Sequence, residues 1–313
     1  MTLADAPVLR ADQLVDAGRL SLAGGPLAEA CAYALSTPGK QLRTQLVFES
    51  ARLGCPDDPA VIEAARAVEL LHVASLAHDD IVDDSALRRG KPSLAAQHGG
   101  FSAAFAGGWL FAYAVECAAR CGAPALELFV ETLCALCDGE LSETQDLYNV
   151  QRSARQYLLA IEAKTAALFS ACARLGGIAG GAPAAVVEDL GRYGTALGMA
   201  FQLADDILDL RGGKATIGKP PGIDLRHGVY TLPVMFALEA DDQIHEVIDS
   251  DIDDADLPEI VGQIERTTAV DRALALVDKY AAAAASIARG LDAPWLESFA
   301  DRALRPLDAA RPS

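Results

Sequence analysis

Two acidic five-residue runs constrain this chain more than any other feature: Asp79-Asp80-Ile81-Val82-Asp83 and Asp205-Asp206-Ile207-Leu208-Asp209. The first closes a stretch that begins at Val68, in which His72, Leu76, Asp79, Asp80 and Asp83 recur at i, i+4, i+7, i+8 and i+11 and so share one face of a helix. That face is apolar for two turns and then abruptly acidic. Unpartnered carboxylates at the end of a buried stripe are expensive, and a bound cation removes the difficulty. Aspartates on successive turns offer the hard oxygen ligands that Mg²⁺ takes, in a site completed by waters and a phosphate. In the second run Gln202, Asp205, Asp206 and Asp209 fall at i, i+3, i+4 and i+7 on a helix that otherwise reads as buried. One run is compatible with a solvated turn. Two, each ending an apolar helix, are best explained as walls of one cavity around shared metal ions, because arrayed carboxylates without metal repel and raise one another's pKa.

Basic residues cluster near these acids. In TPGKQLRTQL, Pro38 and Gly39 interrupt a helix expected over Pro26 to Leu35 and put Lys40 and Arg43 at the opening of the next. Positive charge at a helix start opposes the macrodipole. A solvated face explains two such bases; so does an anion held by the side chains and the free N–H groups. The loop SALRRGKPS places Arg88, Arg89 and Lys91 directly behind the first aspartates. They either pair with those acids or grip the other side of the same diphosphate. Lys164 and Thr165 interrupt an apolar helix, where a lysine can equally snorkel. The Gly/Pro-rich stretch after Asp209, carrying Lys214, Lys219, Asp224 and Arg226, is long enough for a lid.

Composition narrows the setting. Ala and Leu dominate, aromatics are few and β-branched runs are scarce, so an all-α fold is expected. No linker divides the 313 residues, which read as a single helical domain with a polar lead-in over residues 1–20. A net charge of −18 argues against a nucleic-acid partner. Neither a signal-peptide pattern nor an apolar run long enough for a transmembrane segment is apparent, so a cytoplasmic location is expected. Seven scattered cysteines suit reduced thiols, with the lone Cys134/Cys137 pair read as buried small apolar residues. The glycines of LGGIAGGAP are expected to close a helix.

Taken together, GKQLR, LLHVASLAHDDIVDD followed by LRRGKPS, KTAALF, FQLADDILD and GKPPGIDLRHGVYTLP resemble, in order and spacing, the trans-polyprenyl diphosphate synthase family from about Leu27 to Leu304. The resemblance implies an isoprenoid synthase fold, antiparallel helices around a deep central cavity, in a homodimer. It implies that Asp79, Asp80 and Asp83, with Asp205, Asp206 and Asp209, hold three Mg²⁺ ions (Mn²⁺ as a substitute) against an allylic diphosphate. Asp205 is the favoured direct ligand of the second set. Arg88, Lys164, Thr165, Gln202 and Lys219 would contact that diphosphate, and Lys40, Arg43, His72 and Arg89 that of isopentenyl diphosphate. Ionisation of the allylic substrate and capture of the cation by the second substrate would lengthen the chain by five carbons. Ala74 and Ser75, five and four residues before Asp79, are small and would leave the floor open to products of twenty carbons or more, with Leu71, Phe105 or Trp109 as deeper stops.

Several positions depart from the family pattern: Pro38, Gln41 and Thr44 in the first basic motif, Gly108 for an aspartate, Glu143 for a glutamine, and Val229 where lysine is frequent. They thin the shell around the substrates and leave the aspartates untouched. A terpene cyclase would need the metals but not Lys40, Arg43, His72 and Arg89 together. A non-catalytic subunit of a heteromeric synthase would be expected to lack one aspartate motif.

Overall fold

A computed structural model describes residues 8–16, 18–20, 24–36, 39–211, 221–248, 252–253 and 255–311. Pro38, Lys214 and Lys219 lie outside the described residues. Among those described, the secondary structure is helical apart from one two-residue hairpin, as the composition implied. The helices are α1 (Ala11–Leu14), α2 (Gly25–Leu35), α3 (Leu42–Ala51), α4 (Pro59–Val82), α5 (Leu94–His98), α6 (Gly100–Arg120), α7 (Ala123–Gln145), α8 (Ala154–Ile161), α9 (Ala167–Ala179) and α10 (Ala184–Arg211). After them come α11 (Ile223–Arg226), α12 (Leu232–Ala240), α13 (Asp242–Ile248), α14 (Leu257–Glu265), α15 (Ala269–Gly290) and α16 (Pro294–Leu304). Contacts divide the chain into two compact units, residues 1–133 with 171–190 and residues 134–170 with 191–313.

In the first unit α4 is the organising element. Asp58 caps it by accepting from the Ala60 N–H at 2.9 Å, and Pro59 opens it where no donor is needed. Its buried stripe of Val61, Ala64, Ala65, Val68 and Leu71 packs chiefly against α6. The helix ends at Asp83, with Asp84 in the left-handed region at φ 46°. Beyond it, the expected loop is instead a tight hairpin, β1 (Leu87–Arg88) with β2 (Lys91–Pro92). Its central residues Arg89 and Gly90 both have positive φ, 53° and 77°, as a two-residue hairpin turn requires. The glycine cluster does close α9, with Gly180 and Gly181 (φ 70°) forming the turn after Ala179. Gly176 instead lies inside the helix, where a Cβ would strike the Val47 carbonyl of α3.

Helix α6 is long and apolar enough, by length and composition, to cross a bilayer, contrary to the expectation that no run is. The reason is an Ala- and aromatic-rich core helix whose inner face is covered by α4. The buried reading fails for Cys134 and Cys137, which are exposed on α7, while Cys31, Cys117 and Cys172 are buried; all seven are free thiols.

In the second unit the core gathers around α12, where every residue from Leu232 to Leu238 is buried, with Met199, Leu203, Ile207 and Leu210 of α10 and Val270, Leu274 and Val277 of α15. Within the acidic stretch that begins at Asp241, α13 buries Ile244 and Ile248.

Candidate active site

Within the first unit, the face that the sequence spacing picked out on α4 lines a cavity: His72, Leu76 and Asp80 stand on one wall, with Glu69, Arg88 and Arg89 around them. Asp80 is buried and bound by Arg88, whose Nε and Nη2 lie 2.8 and 2.6 Å from Oδ1. Asp79 is half-buried and Asp83 exposed at the helix end. The turn bearing the first basic motif comes to the same place, since a Cβ on Gly39 would strike the Arg89 guanidinium. Arg43 Nη1 lies 3.3 Å from His72 Nε2. Burial first, and then the charges of Arg43, Arg89 and Arg88, hold His72 well below the usual imidazole range, so it is neutral. Lys40 is exposed just before α3.

Three contacts here were not legible in the sequence. Glu69 is buried and accepts from Thr44 Oγ1 at 2.7 Å. Burial raises its pKa, while the Thr44 hydrogen bond and the charges of Arg43 and Arg89 pull it back. Thr44, a departure from the family pattern, thus has a structural role. So has Gln41, which adopts a left-handed conformation and ties both the N–H and the C=O of Leu9 at 2.8 and 2.7 Å. Gly107 accommodates a third contact: a Cβ there would lie 2.5 Å from Cε1 of His78, whose ring stacks on Phe111 at 5.1 Å.

The second unit holds the other set. A π-helical turn, Glu162–Ala166, joins α8 to α9 and carries Lys164 and Thr165, a distortion frequent at functional sites. Its neighbours approach closely because glycine permits it. A Cβ on Gly139 of α7 would lie 2.6 Å from the Lys164 nitrogen, and one on Gly198 of α10 would lie 2.6 Å from Ala166 Cα. One turn beyond Gly198, Gln202 meets Thr165, whose Oγ1 donates to Oε1 at 2.7 Å. Gln202 in turn donates to Asp206 at 3.0 Å, and Tyr157 donates to the other Asp206 oxygen. Burial is the main cause that raises Asp206, to about 7, partly countered by these two hydrogen bonds. Burial also drives the Tyr157 phenol well above its usual range, with the Asp206 charge adding to it. Asp205 is exposed, and Asp209 accepts from the Asp224 N–H at 3.3 Å.

Lys164 is paired with Glu140 at 2.8 Å and with Glu143. Burial alone would lower its pKa; the two carboxylates outweigh that and raise it. Glu143, read from sequence only as a departure, therefore engages a residue assigned to the substrate. Tyr157 on α8 and Arg152 just before its cap went unnoticed because a single aromatic and a single base carry no periodic signal.

A family model for polyprenyl synthetase matches residues 25–264. The chain belongs to the polyprenyl synthetase family. As a member it is a transferase of prenyl groups. It is 39% identical over 271 residues to heptaprenyl diphosphate synthase component 2 of Geobacillus stearothermophilus, covering 85% of this chain and 84% of that protein. It is 35% identical over 285 residues to nonaprenyl diphosphate synthase of Mycobacterium tuberculosis, covering 89% and 85%. Among solved structures, a polyprenyl synthase from Caulobacter crescentus complexed with calcium and isoprenyl diphosphate superposes with a TM-score of 0.81 at 32% identity, covering 94% of this chain and 97% of that one.

The donor set of this family member fits a divalent ion completed by its substrate. Among the described residues no three His, Cys, Asp or Glu side chains form a ready-made cage. Mg²⁺ characteristically takes one or two carboxylates and fills the rest of its shell with water and phosphate oxygens. In the first unit the half-buried Asp79 and the exposed Asp83 at the end of α4, and in the second unit the exposed Asp205 in the last two turns of α10, each suit that role.

Proposed function

We propose that this polyprenyl diphosphate synthase condenses isopentenyl diphosphate with an allylic diphosphate, head to tail, to give a trans product of twenty carbons or more. The observation that carries the reading is the cavity of the first unit. Residues assigned to the two diphosphates, Arg88 for one and His72 and Arg89 for the other, line the same walls, with Asp80 holding Arg88. A cyclase has no use for the second set. Asp79, Asp83 and Asp205 are assigned to Mg²⁺, which when bound stabilises the charge that develops on the departing diphosphate. Arg88, fixed by Asp80, and Lys164, released from Glu140 and Glu143, add charge-assisted hydrogen bonds to that group. Arg43, Arg89 and the neutral His72 orient the second diphosphate, and this proximity directs the cation to its double bond. A proton is then lost to the leaving diphosphate, so no side-chain nucleophile is required.

The small residues near the first aspartates support a long product. Ser75 is half-buried with its hydroxyl turned to the His72 carbonyl at 2.9 Å. Ala74 is wholly buried, and Phe105, offered as a deeper stop, is exposed and packs at a tilt against Phe101 instead. That exposed pair, Phe101 at 80%, suits a subunit contact, and a cytoplasmic homodimer completes the proposal.

A second reading is that the chain elongates only with another subunit, favoured by its likeness to a protein named component 2. One incubation decides. The purified protein is given Mg²⁺, isopentenyl diphosphate and geranyl, farnesyl or geranylgeranyl diphosphate, and products are resolved by length. Longer diphosphates support the proposal; hydrocarbons or alcohols would replace it with a cyclase; turnover only after a second protein is added would establish the heteromer.

A further inference from the structure

Tyr157 has no place in the substrate assignments, yet its surroundings are built to hold it. It stands in the first turn of α8, buried to 2% exposure, behind the capping box of Ser153 and Gln156. The Arg152 guanidinium lies over its ring at 5.5 Å and is itself 3.0 Å from Asp146. With the ring clamped, the hydroxyl donates to Oδ2 of Asp206, while Oδ1 accepts from Gln202 Nε2 at 3.0 Å. The directions enforce one another. Thr165 gives its only proton to Gln202 Oε1, so the amide turns its NH₂ group to Asp206. Asp206 is 4% exposed, with both oxygens facing donors, whereas Asp205 is exposed. Adjacent residues on an α-helix diverge by about 100°, so α10 cannot present both carboxylates to one ion.

We propose that Tyr157 is a positioning residue for the diphosphate site. With Gln202 it turns Asp206 inward as the anchor of the acidic turn, and Asp205 becomes the carboxylate of the pair that meets metal. The chain Tyr157–Asp206–Gln202–Thr165 also sets the Thr165 hydroxyl beside Lys164, so one network orders ligand and base together. This rests on the reading of Asp205 as a metal ligand given above.

The test is Mn²⁺ binding to the full chain in the presence of inorganic pyrophosphate, followed by electron paramagnetic resonance. Tyr157→Phe keeps the ring against Arg152 and removes only the donor. It is expected to weaken Mn²⁺ binding about tenfold, the usual worth of one hydrogen bond to a charged group. Thr165→Val, at the far end, should act in the same direction, and the double variant should lose less than the product of the two single effects. In turnover the Mg²⁺ concentration for half-maximal rate should rise about tenfold while the KM for isopentenyl diphosphate stays put. A purely structural tyrosine would lower the unfolding midpoint and leave Mn²⁺ affinity at the parent value, which would overturn the proposal, as would strictly multiplicative effects. If Tyr157→Phe does not fold, Thr165→Val decides by the same titration. The titration needs no turnover, so a parent protein that binds Mn²⁺ but elongates nothing would end the functional reading and leave this inference standing; a parent that binds none would end both.

Discussion

Gly198→Ala tests how α10 is brought against the π-helical turn. The new methyl carbon would lie 2.6 Å from Ala166 Cα, 3.0 Å from Phe169 Cβ and 3.1 Å from Ala166 Cβ. Carbon atoms settle at about 3.5–4.0 Å, so the two segments must part by about 1 Å. Backbone lies on the other side, and it cannot swing away as a flexible side chain could. Overpacking of this kind costs about 1–3 kcal/mol. The Thr165–Gln202 bond, now 2.7 Å, would open beyond the roughly 3.2 Å at which such bonds hold, losing about 1 kcal/mol more. Alanine's better helix propensity returns about 1 kcal/mol. The net is a destabilisation of about 1–3 kcal/mol, read by urea denaturation as a lower midpoint at unchanged slope. The KM for the allylic diphosphate should rise several-fold while that for isopentenyl diphosphate does not move. Gly108→Ala is the control: its Cβ meets nothing within 4 Å, and it should gain up to about 1 kcal/mol. A Gly198→Ala protein as stable as the parent, with both KM values unchanged, would refute the close approach and the register built on it.

Three further outcomes follow from the same geometry. Glu143→Gln removes one of the two carboxylates on Lys164 and should tighten allylic diphosphate binding by about threefold, in line with the modest worth of a partly exposed ion pair; weaker binding would show that Glu143 serves the substrate. His72, walled by Arg43, Arg88, Arg89 and Glu69, is held neutral with its pKa well below 6.5. The unfolded chain therefore takes up a proton below about pH 6.5 that the folded protein refuses, and stability should fall by up to about 1.4 kcal/mol per pH unit relative to His72→Gln as pH drops from there; parallel urea midpoints for the two proteins between pH 7.5 and 5.5 would contradict this. Ser75→Phe, at a half-buried position, should shorten the products seen by chromatography, a cleaner trial than a bulky residue at the wholly buried Ala74; unchanged length would take the floor away from α4.

Helical periodicity made much of this protein legible from its residues. The i, i+4, i+8 spacing of His72, Leu76 and Asp80 identified a face that does line a cavity, and the two aspartate runs close their helices as the spacing requires. Such features depend on neighbours within three turns, and short-range backbone geometry fixes them. Packing between residues distant in sequence decided the rest. Which carboxylate of an adjacent pair turns inward depends on Tyr157, 49 residues away from Asp206. The glycines at 107, 139, 176 and 198 mark places where segments touch, not turns, and a missing side chain leaves no pattern until its neighbour is known. Glu143 read as a deviation until Lys164 stood beside it. Residue type and spacing settled the chemistry on offer, because carboxylates and guanidinium groups carry it wherever they stand; the fold alone settled which of them are engaged with one another, because a hydrogen bond exists only where packing brings donor and acceptor within about 3 Å.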